Sequence, residues 1–396
     1  MYCDFENVLR NGDIIPAKRT TAIFRRHSNK RTPGSVTFKA TLGTVMRDVL
    51  PRLNVRQRQL FGNTPFGQLA DVDEPHGDPS LVHAMMMHEI RSPRLIEEKR
   101  FGFDLLGFQV EFGDREFCLI TGFRFGAYSD ILAGKCIPAN SALRQRLFPA
   151  YSDRGLRIKH LREYILSESF NNVCDEDALA VVQIYLLMRG LLGRELDVGI
   201  PPLVLQLADN PKEWNRYAWG GFLWNYTEIQ MRAIFPKIAY HLQHFVRQKS
   251  QKPLKYTVLG FMLPFKVWIW ETFPEAREYA RYKRGLIPRM KAWKRNFQLT
   301  FHQCEMLLDT GLESNHPHNM EPTEVELQQP YYIRYMRWKQ FGCEGESPPP
   351  VHQTPPAGQS PPRRRSVDNP DTRNYRSKAG SSSSEASSQG YINKYI

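Results

Sequence analysis

Between Glu275 and Phe297 the chain reads EAREYARYKRGLIPRMKAWKRNF. Arg277, Arg281, Lys283, Arg284, Arg289, Lys291, Lys294 and Arg295 are interleaved there with Tyr279, Tyr282, Trp293 and Phe297. Cations neutralise phosphates and rings stack on bases, so the chemistry this stretch offers is sequence-independent binding of DNA or RNA. The run RRHSNKR (25–31) would add an electrostatic arm. The bland alternative is a solvated basic helix whose rings face the core.

Metal and phosphate chemistry find less support. His241 and His244 are three apart, His316 and His318 two apart, and His83, His88 and Glu89 stand in the wrong order for a His-Glu-x-x-His zinc site. Each group lacks a third and fourth ligand, so these histidines read as structural or solvent-facing, with no metal. GFDLLG and WGGF carry glycines but neither ends in Gly-Lys-Ser/Thr, and neither has dinucleotide-binding spacing. No cofactor is expected, and neither a zinc finger nor a helix-turn-helix is visible.

The elements that must position these residues follow from periodicity. ATLGTVMRDVL has helical spacing, Asn54 caps VRQRQLFG, and Asp78 or Ser80 caps LVHAMMMHEI. FGFDLLGFQVEF alternates as one or two strands. Asp114 caps REFCLITG, which Gly122 closes. LRIKHLREYILSESF is amphipathic, with Leu161, Ile165 and Leu166 on its apolar side. EDALAVVQIYLLMRGLLG is apolar on nearly every face and belongs at the centre of a bundle. KYTVLGFMLPFKVWIWETFPEAREYARYK opens as a strand and continues as two helical pieces separated at Pro274. The ring-rich NPKEWNRYAWGGFLWNYTE repeats at spacings of three and four, which assigns its rings to core packing rather than stacking, with an irregular entry at Gly220–Gly221.

The fold class expected is α+β and predominantly helical: a helix bundle around a hydrophobic central helix, with a small sheet. Residues 1–34 read as a basic, largely disordered N-terminus, 35–342 as the globular domain, and 343–396 as a Pro/Ser-rich disordered tail. The formal net charge is +13, unevenly spread. Residues 1–60 hold 12 Lys/Arg against 4 Asp/Glu, and 275–300 hold 8 against 2, a clustering that points to nucleic acid, to acidic protein, or to nothing but solvent. The six cysteines show no close pairing, which fits a reducing compartment. No apolar targeting run stands out near Met1, and ALAVVQIYLLM is too short to span a membrane. PPRRRS (361–366) reads as a weak nuclear-import signal or a kinase site at Ser366.

Three stretches in order resemble a plant domain-of-unknown-function family that accompanies SUMO-protease-like cysteine peptidase domains in Mutator-like transposable-element proteins. A Phe-x-Leu-x-Thr-Gly-Leu motif is matched by Phe117, Leu119, Thr121, Gly122 and Phe123. A Trp-Gly…Phe…Thr motif is matched by Trp219, Gly220, Trp224 and Thr227. A Gly-Phe…Trp-x-Tyr-Glu…Pro motif is matched by Gly260, Phe261, Trp268, Trp270, Glu271 and Pro274. Phe123, Trp224 and Trp270 depart from the pattern while keeping bulk and apolarity. IPRMKAW resembles the next segment more loosely, so the likeness runs from about 71 to 293.

The companion peptidase chemistry needs a thiolate beside a histidine, with an oxyanion-stabilising glutamine. Gln298 stands six residues before Cys304, but Gln303 and Glu305 flank the cysteine where that family has Asp-Cys-Gly. The resemblance implies a non-catalytic protein-interaction module of a transposon-derived plant protein. It would be nuclear, or otherwise cytoplasmic, with no membrane association. The alternatives are a sequence-nonspecific nucleic-acid-binding module acting through 275–300 and the basic N-terminus, and a degenerate peptidase fragment.

Overall fold

The computed structural model describes residues 35–73, 77–105, 107–128, 130–132, 141–152, 155–240, 254–273, 275–314 and 316–342. The arm and tail expected at 1–34 and 343–396 lie outside the described residues, as do His241, His244, Pro274 and the side chain of Arg277.

The order begins β1 (Ser35–Phe38), α1 (Leu42–Val49), α2 (Val55–Gly62), α3 (Pro79–Met86), β2 (Glu89–Ile90) and α4 (Pro93–Glu97). It continues through β3 (Phe101–Leu105), β4 (Phe108–Phe112), α5 (Asp114–Thr121), α6 (Ala142–Leu147), α7 (Ile158–Leu166) and α8 (Asp175–Tyr185). Next come α9 (Pro202–Ala208), α10 (Pro211–Arg216), α11 (Trp219–Arg232), β5 (Lys255–Val258) and α12 (Leu263–Thr272). The last are α13 (Ala276–Tyr279), β6 (Ala280–Tyr282), β7 (Trp293–Arg295), α14 (Phe301–Ser314), α15 (Glu324–Leu327) and α16 (Pro330–Phe341). The chain is predominantly helical α+β. Where one small sheet was expected, the described residues hold three: β1 parallel to β5, the antiparallel order β2-β3-β4, and the β6–β7 hairpin.

Helix α8 starts on Asp175, Glu176 and Asp177, whose charges complement the positive end of the helix dipole. Its apolar residues leave no solvent face, so Ala178, Val181, Val182, Ile184 and Tyr185 are buried, and the helix runs on as a π-helical segment, Leu186–Leu191. Helices α2, α7 and α9 pack against α8, and α1 packs against the π segment. Helix α12 forms a second buried axis: Phe265, Val267, Trp268 and Ile269 are fully covered, and the helix packs on α5.

Local signals account for the ends of these elements. Asn54 accepts from the Gln57 amide at 2.8 Å while the Gln57 side chain accepts from the Asn54 amide at 3.1 Å, a reciprocal cap. Gly122 closes α5 at φ +64°. Three local expectations change. Asp114 is the first helical residue rather than the cap, and Glu116 instead reaches back to the Gly113 amide at 2.8 Å. Helix α3 starts after Asp78 without a side-chain cap. Leu166, at the last position of α7, is 42% exposed while Leu161 and Ile165 are buried.

The ring-rich stretch is core. Trp214, Trp219, Phe222 and Trp224 are buried, and Phe66 packs against both Trp214 and Trp219. The break falls at Tyr217–Ala218, just before α11, rather than at the glycine pair. Gly220 permits close approach: a methyl there would meet the Phe125 ring at 2.4 Å, and its amide donates to Arg124 O at 2.7 Å. Among the described residues, no helix is long and apolar enough to cross a membrane.

Candidate nucleic-acid interface

The basic stretch folds differently from either helical expectation. Helix α13 stops at Tyr279, and residues 280–295 form an antiparallel hairpin. Ala280 is opposite Arg295, Arg281 opposite Lys294, and Tyr282 opposite Trp293, and the Lys283 amide extends the ladder to Ala292 O at 2.8 Å. The physical reason is tertiary. Ala280 and Trp293 are buried, and Trp293 packs on Trp270 of α12 and donates its indole N–H to Glu271 at 2.7 Å. This docking outweighs the helical leaning of a charged segment.

Period-two geometry then sorts the residues. Ala280, Tyr282, Trp293 and Arg295 share one face, on which Ala280 and Trp293 are buried and Tyr282 is 40% exposed, while Arg281 and Lys294 share the opposite, outward face, with Lys283 next along on the same side. Cations and rings that alternate along the chain therefore separate onto opposite faces. Tyr282 lies against Trp293 at 5.0 Å, and Phe297 lies edge-on to Tyr279 at 5.8 Å.

The eight cations do not form one surface. Arg289 is buried and is removed from the candidate interface: it donates to both Glu326 carboxylate oxygens at 2.7 Å, to Glu271 at 3.0 Å, and to Glu321 O at 2.6 Å. Burial alone would raise the Glu326 carboxyl, but hydrogen bonds from Arg289 and Thr323 outweigh it and hold the group below its ordinary value. Lys291 pairs with Asp71 at 2.7 Å, and Arg295 points to buried Asp78 at 3.5 Å. Lys294 is 55% exposed and only loosely opposed by Asp73 at 3.9 Å. Arg281, Lys283 and Arg284 are exposed and have no ion pair among the described residues.

The described residues matched to the family motifs gather in or against the core. The Thr227 hydroxyl accepts from the Phe261 amide at 3.0 Å, where Gly260 turns the chain at φ +90°. Phe117 contacts Trp224 and Phe261, and Trp268 stacks on Phe265 and is tilted against Phe112. The Thr121 hydroxyl donates to Phe117 O at 2.7 Å, and Gln68 donates to Thr121 O at 2.7 Å, beside Gly122. Trp219 and Gly220 lie on the same helix as Trp224 and Thr227. Glu271 joins the core to the hairpin through Arg289 and Trp293.

The remaining chemical candidates have structural settings. Cys304 is buried in α14, and burial pushes its thiol well above its ordinary range, the reverse of an activated nucleophile. Gln298 is exposed outside that helix. His83 is buried within 2.9 Å of the Tyr256 hydroxyl, His316 stacks on Phe108, and the His318 amide donates to Thr272 O. Among the described residues, no three His, Cys, Asp or Glu side chains group to hold a metal. Gly102 lies within β3, and Gly107 makes the β3–β4 turn at φ +103°.

Sequence reasoning missed one feature, an open cleft of about 570 Å³ lined by Arg100, Glu111, Asp114, Arg115, Tyr335 and Lys339, among others. Arg100 bridges Glu111 at 2.8 Å and Glu116 at 3.1 Å, and Lys339 and Tyr335 both donate to Asp114. Lys339 lies 225 positions from Asp114, so no local spacing announces the pair. Cations and carboxylates are matched across this cleft, so it presents no strong charge of one sign. No protein-family model, curated protein or solved structure matches the chain.

Proposed function

We propose that the chain is a non-catalytic interaction module of a transposon-derived plant protein, acting in the nucleus, and that the partner it meets is nucleic acid. The observation that carries this reading is the outward face of the β6–β7 hairpin. Arg281 stands directly opposite Lys294, with Lys283 beside them. Like charges opposed across an antiparallel pair are unfavourable in an isolated sheet. A bound polyanion would turn that repulsion into attraction and release counterions as it did so. The buried, high-set thiol of Cys304 argues against the peptidase-fragment alternative.

The test is fluorescence anisotropy of the whole chain with labelled nucleic acid at low salt. Reversing charge in Arg281→Glu, Lys283→Glu, Arg284→Glu should weaken binding at least about tenfold, because each lost phosphate contact also becomes a repulsion. An unbound wild-type chain would remove the proposal.

A protein partner is the second reading, favoured by Ile333 and Met336. They lie one turn apart on α16 and are 37% and 49% exposed. A partner retained after nuclease treatment and released by Ile333→Ser with Met336→Ser would establish it in place of the first.

A further inference from the structure

Resting on the reading of the hairpin as a polyanion site, we infer that it takes the phosphate backbone of a duplex and does not read or stack bases. Binding of single strands joins cations that track the backbone to rings on which bases stack, and both must be reachable from the same side. Strand alternation separates them here. Arg281, Lys283 and Lys294 lie outward, while Trp293 is buried on the other face and Tyr282, 40% exposed, is tilted against it on that same face. Phe297 is 47% exposed and lies beyond the end of β7, edge-on to Tyr279 of α13, so a Phe297→Ser variant tests it directly.

The way the hairpin is mounted also excludes groove reading. A two-stranded ribbon enters the major groove when it projects from its domain. This one is tied down to its domain, through Trp293 to Trp270 and Glu271 and through Arg289 to Glu271 and Glu326. Its strands are three residues long. What reaches a ligand is a patch in which Arg281 and Lys283 are about 7 Å apart along one strand, with Lys294 across from Arg281. Arg284 continues the charge beyond the ladder. A patch of that kind contacts phosphates, positions the protein and carries no sequence information.

The partner class is therefore duplex DNA bound without regard to sequence. Three outward cations with no ion pair among the described residues, Arg281, Lys283 and Arg284, set the expected number of phosphates. Each phosphate neutralised on B-form DNA contributes about 0.9 to the slope of log affinity against log salt, against about 0.7 on a single strand.

The experiment measures the affinity of the full chain for a short labelled duplex and for one of its separated strands, from about 50 to 200 mM salt. Three variants are compared with wild type: Arg281→Gln with Lys283→Gln and Arg284→Gln; the charge-conserving Arg281→Lys with Lys283→Arg and Arg284→Lys; and Phe297→Ser. A fourth, with Arg25, Arg26, Lys30 and Arg31 all changed to Gln, separates the N-terminal run from the hairpin. The duplex should bind at least as tightly as the strand. The triple Gln variant should flatten the duplex slope by about 2.7, the charge-conserving variant should restore it, and Phe297→Ser should leave affinity within about twofold, since no stacked base is lost. The same flattening should appear when the triple Gln change is added to the N-terminal variant. A slope unchanged by the triple Gln variant would overturn the hairpin as a polyanion site altogether. A slope that flattens, with the single strand preferred and that preference lost in Phe297→Ser, would keep the site and overturn the duplex assignment.

Discussion

Glu89 shows how a single buried carboxylate ties stability to pH in this protein. It lies in β2 and accepts from Arg91 at 2.9 Å, and among the described residues its second carboxylate oxygen has no hydrogen-bond partner. Burial pushes its pKa up to about 6, against the lowering pull of Arg91 and Arg232. Because the folded pKa is the higher one, the folded state holds the proton more tightly, and stability falls as pH rises from about 4.5 to about 6. The whole effect is on the order of 2 kcal/mol. Glu89→Gln should abolish that dependence. In urea denaturation from pH 4 to 7.5, the stability of the variant relative to wild type should rise by about 2 kcal/mol over this window. A difference that stays flat with pH would show that Glu89 does not titrate there.

At the scale of elements, Arg289 decides how the hairpin is held. Its guanidinium joins Glu271 on α12 to Glu326 on α15, and the loop that carries it connects β6 to β7. Arg289→Ala would leave Glu326, only 2% exposed, without its cation. The expected cost is about 3–5 kcal/mol, read as a drop in the urea midpoint. Loss of less than about 1 kcal/mol would mean that Trp293 docking alone secures the hairpin. The same residues show where the sequence was legible. Alternation in FGFDLLGFQVEF is plain because one face of β3 and β4 is core, and the hairpin forms in register there. EAREYARYKRG gives no such signal. Its residues suit a helix, and the contacts that make it a strand come from Trp270 and Glu271. The basic and aromatic character of 275–297 could be read directly. Which cations remain available could not, since Asp71, Asp78, Glu271 and Glu326 reach them from distant positions.

For the whole molecule, binding of a polyanion depends on how positive charge is distributed. The chain carries +13, yet much of its arginine and lysine is engaged internally, as in the matched pairs of Arg100, Arg115 and Lys339 around the charged cleft. The outward hairpin face differs because Arg281 and Lys283 have no ion pair among the described residues and Lys294, opposite Arg281, is only loosely opposed by Asp73. Net charge alone draws any polyanion nearby, but a contact surface needs charge that is concentrated and reachable. The apolar pair Ile333 and Met336 on α16 marks the competing surface. Backbone amide hydrogen exchange of the full chain, with and without saturating duplex DNA, separates the two surfaces most directly. The account predicts slowed exchange in peptides spanning 280–295 and none across 330–341. Slowed exchange across 330–341, or in the cleft-forming 98–115, with 280–295 unchanged, would contradict it.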